Sequence, residues 1–179
     1  MEIRFEGRVV KGKGFYSELV IPGCSVLKNH SVKVPADWPE ELRRGSLNVR
    51  ITGWPEGFST PNAGEGGAFR LDGDVLIPAF TIPGGLIQNN KLVWNEQTRR
   101  ANEVPLGASG VRSPAKVWRA TLQVPGTELN LSCWVLRRLG SKAGAGSELE
   151  IVSHEHIREI YRMPETLDHP AVLILFEGC

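Results

Sequence analysis

The stretch Lys116-Val117-Trp118-Arg119-Ala120-Thr121-Leu122 switches between polar and apolar side chains along most of its length. In an extended strand, successive side chains point to opposite faces, so this pattern gives one apolar face and one polar face that is exposed to solvent. The stretch Asn48-Val49-Arg50-Ile51 has the same period. Half-buried strands of this kind are typical of antiparallel sheets around a single core. The sequence therefore predicts a β-barrel or a β-sandwich rather than an α/β sheet.

Strand chemistry recurs along the chain. Segments rich in β-branched and aromatic residues, bounded by Gly, Pro, Asn or Ser, predict strands at Ile3–Val10, Leu47–Thr52, Asp74–Ile82, Ala115–Val124, Glu128–Arg137, Glu148–Val152 and Ala171–Phe176. Two short helices are predicted, at Pro39–Arg44 and at His154–Arg162, the second with Ser153 as its N-cap. Residues 54–114 are rich in glycine, proline and polar residues, which indicates an expanded, loop-rich middle.

The size of the chain predicts one mainly β domain that spans residues 1–179. Hydrophobic residues make up 41% of it, enough to fill a core without disulfides or a structural metal. Cys24, Cys133 and Cys179 include no Cys-x-x-Cys pair, so reduced thiols are expected. No apolar run approaches the length of a membrane span, and the N-terminus lacks the apolar segment of a signal peptide. We therefore expect a cytoplasmic protein with no membrane partner.

The charge of the chain is nearly balanced, with 21 Lys and Arg residues against 20 Asp and Glu residues and a formal net charge of +1. Such a chain has no strong long-range field that would attract a nucleic-acid backbone. Nucleic acid is therefore not expected as a partner, and an anionic ligand would have to be held by local groups. The composition does not indicate an oligomeric state.

The first candidate site is the run Lys11-Gly12-Lys13-Gly14-Phe15-Tyr16, directly after the first predicted strand. Glycines leave backbone amides accessible, and together with a lysine ammonium group they suit phosphate oxygens. An ordinary strand-to-strand turn has the same composition, so this run alone leaves both readings open.

The second candidate site is the run Gly45-Ser46-Leu47-Asn48-Val49. The Ser46 hydroxyl and the Asn48 amide stand at i and i+2, so on an extended strand both oxygens lie on one face. Two neutral, hard oxygens suit Mg²⁺, which usually keeps its other ligands from water and substrate phosphates. A polar, solvent-facing strand edge is the alternative interpretation.

The third candidate region contains Glu148 and Glu150, which alternate with apolar residues and therefore lie on the polar face of their strand. Before it comes a glycine-rich run, residues 140–147, which includes Lys142 but lacks the order of a P-loop. His154 and His156 lead into a predicted helix, where i and i+2 do not share a face, so they are not expected to ligate a metal together. The sequence has no Gly-x-Ser-x-Gly elbow and no His-Glu-x-x-His helix, so nothing indicates a hydrolase.

The order of these pieces resembles the archaeal CTP-dependent riboflavin kinases. The resemblance rests on Gly7–Tyr16, on Gly45–Val49 and on Leu149–Glu159, and covers roughly the first 53 residues and the last 60 or so, with the middle expanded here. Members of that family are small cradle-loop barrels that transfer the terminal phosphate of CTP, with Mg²⁺, to a ribityl hydroxyl of riboflavin. The resemblance implies a closed or partly open cradle-loop (RIFT-like) barrel with one or two short helices.

The resemblance also implies roles for particular residues. The nucleotide phosphates would be bordered by Gly12, Lys13, Gly14 and Phe15, and contacted again by Glu155, His156, Ile157 and Arg158. Ser46 and Asn48 resemble the family's Mg²⁺ ligands. Glu150 resembles its flavin-contacting carboxylate, and the family's flavin-contacting Thr corresponds to the Ser141–Lys142 region, which assigns Lys142 to the acceptor.

Three departures leave an alternative open. The glycine turn is two residues shorter than in the family, the metal-binding Thr is replaced by Ser46, and the Thr-x-His run is absent. A kinase acting on riboflavin or a related hydroxylated molecule and a non-catalytic barrel that binds a nucleotide or small ligand are both compatible with this pattern.

Overall fold

The computed structural model describes residues 1–10, 18–43, 47–59, 69–105, 114–138, 148–163 and 169–178. Strands dominate, and the two helices are short. The elements are β1 (Glu2–Val10), β2 (Glu18–Val20), α1 (Cys24–Asn29), β3 (Leu47–Gly53), β4 (Phe58–Ser59), β5 (Arg70–Leu71), β6 (Asp74–Val75), β7 (Phe80–Ile82), β8 (Gln88–Asn95), β9 (Arg100–Pro105), β10 (Ala115–Gln123), β11 (Asn130–Arg138), β12 (Glu148–Val152), α2 (Ile157–Ile160) and β13 (His169–Phe176). Each predicted strand is present, although Asp74–Ile82 is divided into β6 and β7.

Six strands form a closed antiparallel barrel, which confirms the predicted fold. Their order is β11-β12-β3-β1-β13-β10, and the barrel closes because β10 also pairs with β11. That closing ladder runs from Ala115 opposite Arg138 to Gln123 opposite Asn130. A closed barrel leaves no unpaired strand edge among its members, which removes a common route to aggregation.

The barrel interior is filled by apolar side chains from alternate positions of every strand, and we call this the interior core. Trp118 and Phe5 are its largest completely buried members. Gly7 lies where the pairing of β1 with β3 shifts register, and a Cβ there would come within 2.5 Å of the Arg50 carbonyl oxygen. Only glycine allows β1 and β3 to approach so closely at this bulge.

A second apolar cluster lies on the outside of the barrel, and we call it the outer core. Val117 and Trp134 contribute to it from β10 and β11, and the segment that follows β2 covers them with Leu27 and Trp38. The prediction that one face of β10 is exposed to solvent is therefore wrong at Val117, which is buried. The reason is that a distant part of the chain covers this face, which the alternating pattern alone does not reveal.

The covering segment is held to the barrel by specific contacts. The Trp38 indole N–H donates to the Pro22 carbonyl oxygen at 3.1 Å, and its ring meets Phe80 and Trp134 edge to face. Arg119 on β10 donates to both Asp37 carboxylate oxygens at 2.7 Å. This hydrogen bonding lowers the pKa of the Asp37 carboxyl below its ordinary value.

The predicted helix at Pro39–Arg44 is wrong, because residues 39–43 are not helical. Their polar groups are used in tertiary contacts instead: the Glu40 carboxylate accepts hydrogen bonds from Ser25, and the Arg43 N–H donates to the Ser153 carbonyl oxygen at 2.7 Å. Helix α1, which the sequence did not indicate, begins after Gly23, where a Cβ would collide with the Glu40 backbone.

The expanded middle supplies five of the six strands of two small sheets, mostly where the sequence showed few strand signals. One joins β4, β5 and β6, and the other joins β2, β8 and β9. The hairpin of β8 and β9 leaves Trp94 57% exposed. The Asn95 side chain accepts hydrogen bonds from two backbone N–H groups in the hairpin turn. None of the described helices has the length or the apolar character needed to cross a membrane.

We predict that Trp38→Ala lowers the free energy of unfolding by about 3–5 kcal/mol, because it leaves a cavity in the outer core. Trp94→Ala is the matched control, since its ring is mostly exposed, and it should change the free energy by no more than about 0.5 kcal/mol. Urea denaturation followed by circular dichroism measures both values. Equal effects of the two substitutions would show that the outer core does not stabilise the barrel.

Candidate functional site

Three strands that adjoin segments singled out in the sequence have their ends on one side of the barrel. Antiparallel pairing brings the end of β1, the start of β3 and the end of β12 to the same side, with Val10 opposite Asn48 and Ile151 opposite Leu47. The glycine turn follows β1, the Gly-Ser pair precedes β3, and the Glu155–Arg158 segment follows β12. We call this side of the barrel the motif end.

A row of side chains crosses the outer face of the barrel at the motif end. Asn48 stands directly opposite Val10 on one side and Glu150 on the other, and Glu150 stands opposite Leu136. Directly opposed residues of antiparallel strands share a face, with Cβ atoms about 4.5–5.5 Å apart. Asn48 and Glu150 are therefore neighbours on the outer face of the barrel.

The side-chain oxygen of Asn48 is buried and has no hydrogen-bond partner in the part of the chain that the structure describes. Buried polar atoms are nearly always paired, so an orphaned amide oxygen needs an explanation such as a bound water or ion. Amide and carboxylate oxygens are ligands that Mg²⁺ accepts. The Asn48 oxygen thus fits the metal that the sequence resemblance implies.

Within the described ranges, no three His, Cys, Asp or Glu side chains are grouped so as to hold a metal ion. The amide oxygen that Asn48 offers suits Mg²⁺ better than Zn²⁺, which prefers an enclosed site of nitrogen and sulfur ligands.

Glu148 lies two residues before Glu150 on the same face, as predicted, but its environment differs. It stands opposite Arg50, whose guanidinium lies 3.1 Å from the Glu148 carboxylate. Both side chains are partly exposed, so the pair contributes little to stability. The Arg50 guanidinium therefore balances the negative charge of Glu148.

The Glu155–Arg158 segment is positioned by the turn between β12 and α2. The Ser153 hydroxyl accepts a hydrogen bond from the Glu155 N–H at 3.2 Å, whereas His156 occupies the N-cap position that the sequence predicted for Ser153. Ile157 is buried in the interior core. Helix α2 covers only Ile157–Ile160, shorter than the predicted helix.

His156 presents a further polar atom at the motif end. Its Nδ1 is buried and lies 3.3 Å from the Glu159 carboxylate, close enough for a charged pair but without hydrogen-bond geometry. His169 begins β13 opposite Val9, and its Nε2 is likewise buried with no partner among the described residues. Asn48, His156 and His169 therefore each place, at this end of the barrel, one buried polar atom that has no hydrogen-bond partner among the described residues.

Tyr161 is a residue whose role the sequence analysis did not indicate. Its hydroxyl lies 3.1 Å from the Leu122 carbonyl oxygen and 2.9 Å from the Leu129 carbonyl oxygen, and donates toward both. The contact ties the end of α2 to the connection between β10 and β11. Burial is the main cause that raises the pKa of the Tyr161 hydroxyl, so it remains a donor at neutral pH.

Several predicted site residues lie outside the described part of the chain. These are Gly12, Lys13, Gly14, Phe15, Ser46 and Lys142. Of the thiols, Cys24 and Cys133 are free and buried, and desolvation raises the pKa of the Cys133 thiol to about 12. Neither thiol is a nucleophile in this environment.

Comparison with protein-family models gives no match, and comparison with curated proteins gives none of significant similarity. The resemblance to the CTP-dependent riboflavin kinases therefore stays a prediction from the three sequence motifs.

We predict that Tyr161→Phe lowers the free energy of unfolding by about 0.5–1.5 kcal/mol, the usual contribution of one hydrogen bond. The ring remains, so packing against the interior core is preserved. Ile160→Ala is a suitable control. Because Ile160 is 37% exposed, its truncation should lower the free energy of unfolding by less. A Tyr161→Phe variant as stable as the wild type in urea denaturation would contradict the anchoring role of the hydroxyl.

Proposed function

We propose that the protein is an Mg²⁺-dependent phosphotransferase that uses CTP and phosphorylates riboflavin or a related small, hydroxylated molecule. The observation that carries the proposal is the buried Asn48 oxygen, which has no partner among the described residues and lies where β1 ends, β3 begins and β12 ends. A barrel that only needed to fold would gain stability by pairing or removing that buried amide oxygen.

The chemistry of phosphoryl transfer agrees with the residues available. The reaction depends on positioning and on neutralising phosphate charge more than on a covalent nucleophile. Bound Mg²⁺ would supply that neutralisation. Asn48 and Ser46 would hold it, while Glu150 and Lys142 would contact the acceptor.

The nucleotide would be bound by groups on both sides of β3. Gly12, Lys13, Gly14 and Phe15 would border the phosphates with backbone amides and an ammonium group. The Glu155–Arg158 segment, held by Ser153 and Tyr161, would contact the nucleotide from the other side. Their positions in the chain, after β1 and after β12, support this arrangement because both strands flank β3.

We predict that the wild type converts riboflavin to FMN with CTP and Mg²⁺, and more slowly with ATP. Incubation with each nucleoside triphosphate, followed by chromatographic separation of the flavins, measures this. If no nucleoside triphosphate yields FMN, riboflavin is not the acceptor, and release of CDP with other hydroxylated molecules decides whether another acceptor is used. If CDP is never released, the protein is not a kinase.

The same proposal predicts the behaviour of Asn48→Ala. CTP with Mg²⁺ should stabilise the wild type against heat, by about 2.7 kcal/mol at a hundredfold excess over its Kd. The variant should lose this stabilisation, although its melting temperature without ligand stays close to that of the wild type. Thr52→Ala, on the same strand and face, should retain it. Stabilisation by CTP without any metal, in the wild type and in Asn48→Ala alike, would instead identify a non-catalytic binding barrel.

A further inference from the structure

The hairpin of β8 and β9 exposes an aromatic ring that neither core uses. Trp94 is 57% exposed, whereas Trp38, Trp118 and Trp134 are buried in the two cores. In the hairpin ladder Trp94 stands directly opposite Ala101, so the side chain beside the indole on that face is small. The ring of Trp94 is therefore accessible to a planar ligand.

Two arginines lie at the end of the same hairpin. Arg99 is the last residue of the turn and Arg100 is the first residue of β9, next to the pair of Trp94 and Ala101. Both arginine side chains are exposed, and within the described ranges neither guanidinium has an ion pair or a hydrogen bond. Glu96 is the one acidic residue between positions 93 and 102. Residues 93–102, which we call the hairpin end, therefore carry a net positive charge.

The turn carries one of these cations at an unusual backbone position. Arg99 has a φ of 51°, in the left-handed region that glycine and asparagine adopt at lower cost. The rest of the hairpin is rich in side-chain amides, with four asparagines and two glutamines between positions 88 and 102. An amide both donates and accepts hydrogen bonds, which suits the edges of nucleic-acid bases.

An exposed ring, unpaired guanidinium groups and amides together match single-stranded nucleic acid. An unpaired base offers a planar face that stacks on an indole, and its phosphate pairs with a guanidinium. A free nucleotide usually binds in an enclosed pocket, whereas the side chains of the hairpin end are exposed except for Asn95, which is partly buried. The turn residues 96–99 are all polar, which does not suit insertion into a lipid surface.

We propose that the hairpin end binds single-stranded nucleic acid, with Trp94 stacking on a base and with Arg99 and Arg100 contacting phosphates. The net charge of +1 gives no strong long-range attraction, which is why the composition did not predict such a partner. Stacking and guanidinium–phosphate pairing act at contact distance and do not require a large net charge. The inference goes beyond the proposed function and does not depend on it.

The test measures binding of a fluorescein-labelled, single-stranded oligonucleotide of about 12 nucleotides by fluorescence anisotropy. Titrations are made at about 50 and 200 mM salt. Trp94→Ala removes the ring, and Val93→Ala is its control, since Val93 is 39% exposed on the other face of β8. The double variant Arg99→Gln with Arg100→Gln removes both charges, and Arg4→Gln removes an exposed arginine at the opposite end of the barrel from the motif end.

We expect Trp94→Ala to weaken binding at least about fivefold, the effect of losing one stacked base. The double arginine variant should lower the slope of log affinity against log salt by about 1.4, or about 0.7 for each lost phosphate contact. Val93→Ala and Arg4→Gln should bind as the wild type does. Because Trp94 is mostly exposed, Trp94→Ala should keep the wild-type melting temperature, so its lost affinity cannot be attributed to unfolding.

Three results would overturn the inference. The first is a wild type that does not bind the oligonucleotide at the lower salt concentration. The second is a Trp94→Ala variant that binds as tightly as the wild type, or a Val93→Ala variant that is weakened as much as Trp94→Ala. The third is binding of the wild type to vesicles of anionic phospholipid but not to the oligonucleotide, which would identify a lipid surface as the partner.

Discussion

Strand β3 is hydrogen-bonded on both sides, to β1 and to β12, and this double pairing determines what the barrel presents at its motif end. A shift of one residue in either register would move Asn48 to the interior and a valine to the outside, because side chains alternate along a strand. The interior core resists such a shift, since Val49 is completely buried between neighbours from several strands. The packing of the core thereby holds an unfavourable feature in place, namely a buried amide oxygen without a partner in the described structure.

The second layer of the molecule follows from the same closed barrel. Because β10 and β11 present apolar side chains to both faces, the barrel needs a cover on its outside, and the segment from Ile21 to Leu42 provides it. The Arg43 N–H then bonds to the Ser153 carbonyl oxygen, immediately after β12. The cover therefore extends to the turn that leads to α2, which links the outer core to the candidate nucleotide segment.

The strands were predictable because their alternation and bounding glycines and prolines are local signals. Helix α1 and the irregular segment at Pro39–Arg43 were not, because tertiary contacts between Glu40 and Ser25 decide both. In the site, the sequence placed Asn48 and Glu150 on polar strand faces, but their direct opposition depends on the pairing of β3 with β12, which lies a hundred residues further along the chain. The hydrogen bonds of Tyr161 could not be predicted either, since their carbonyl acceptors lie in β10 and in the connection that follows it, 32 to 39 residues earlier in the chain.

The proposed function depends above all on a cation beside Asn48, and a crystal structure of the protein soaked with Mn²⁺ and CTP tests it most directly. The proposal predicts an anomalous difference peak at the motif end, about 2.1 Å from the Asn48 oxygen. A peak elsewhere on the barrel, or an Asn48 oxygen that accepts a hydrogen bond from a protein donor, would contradict it.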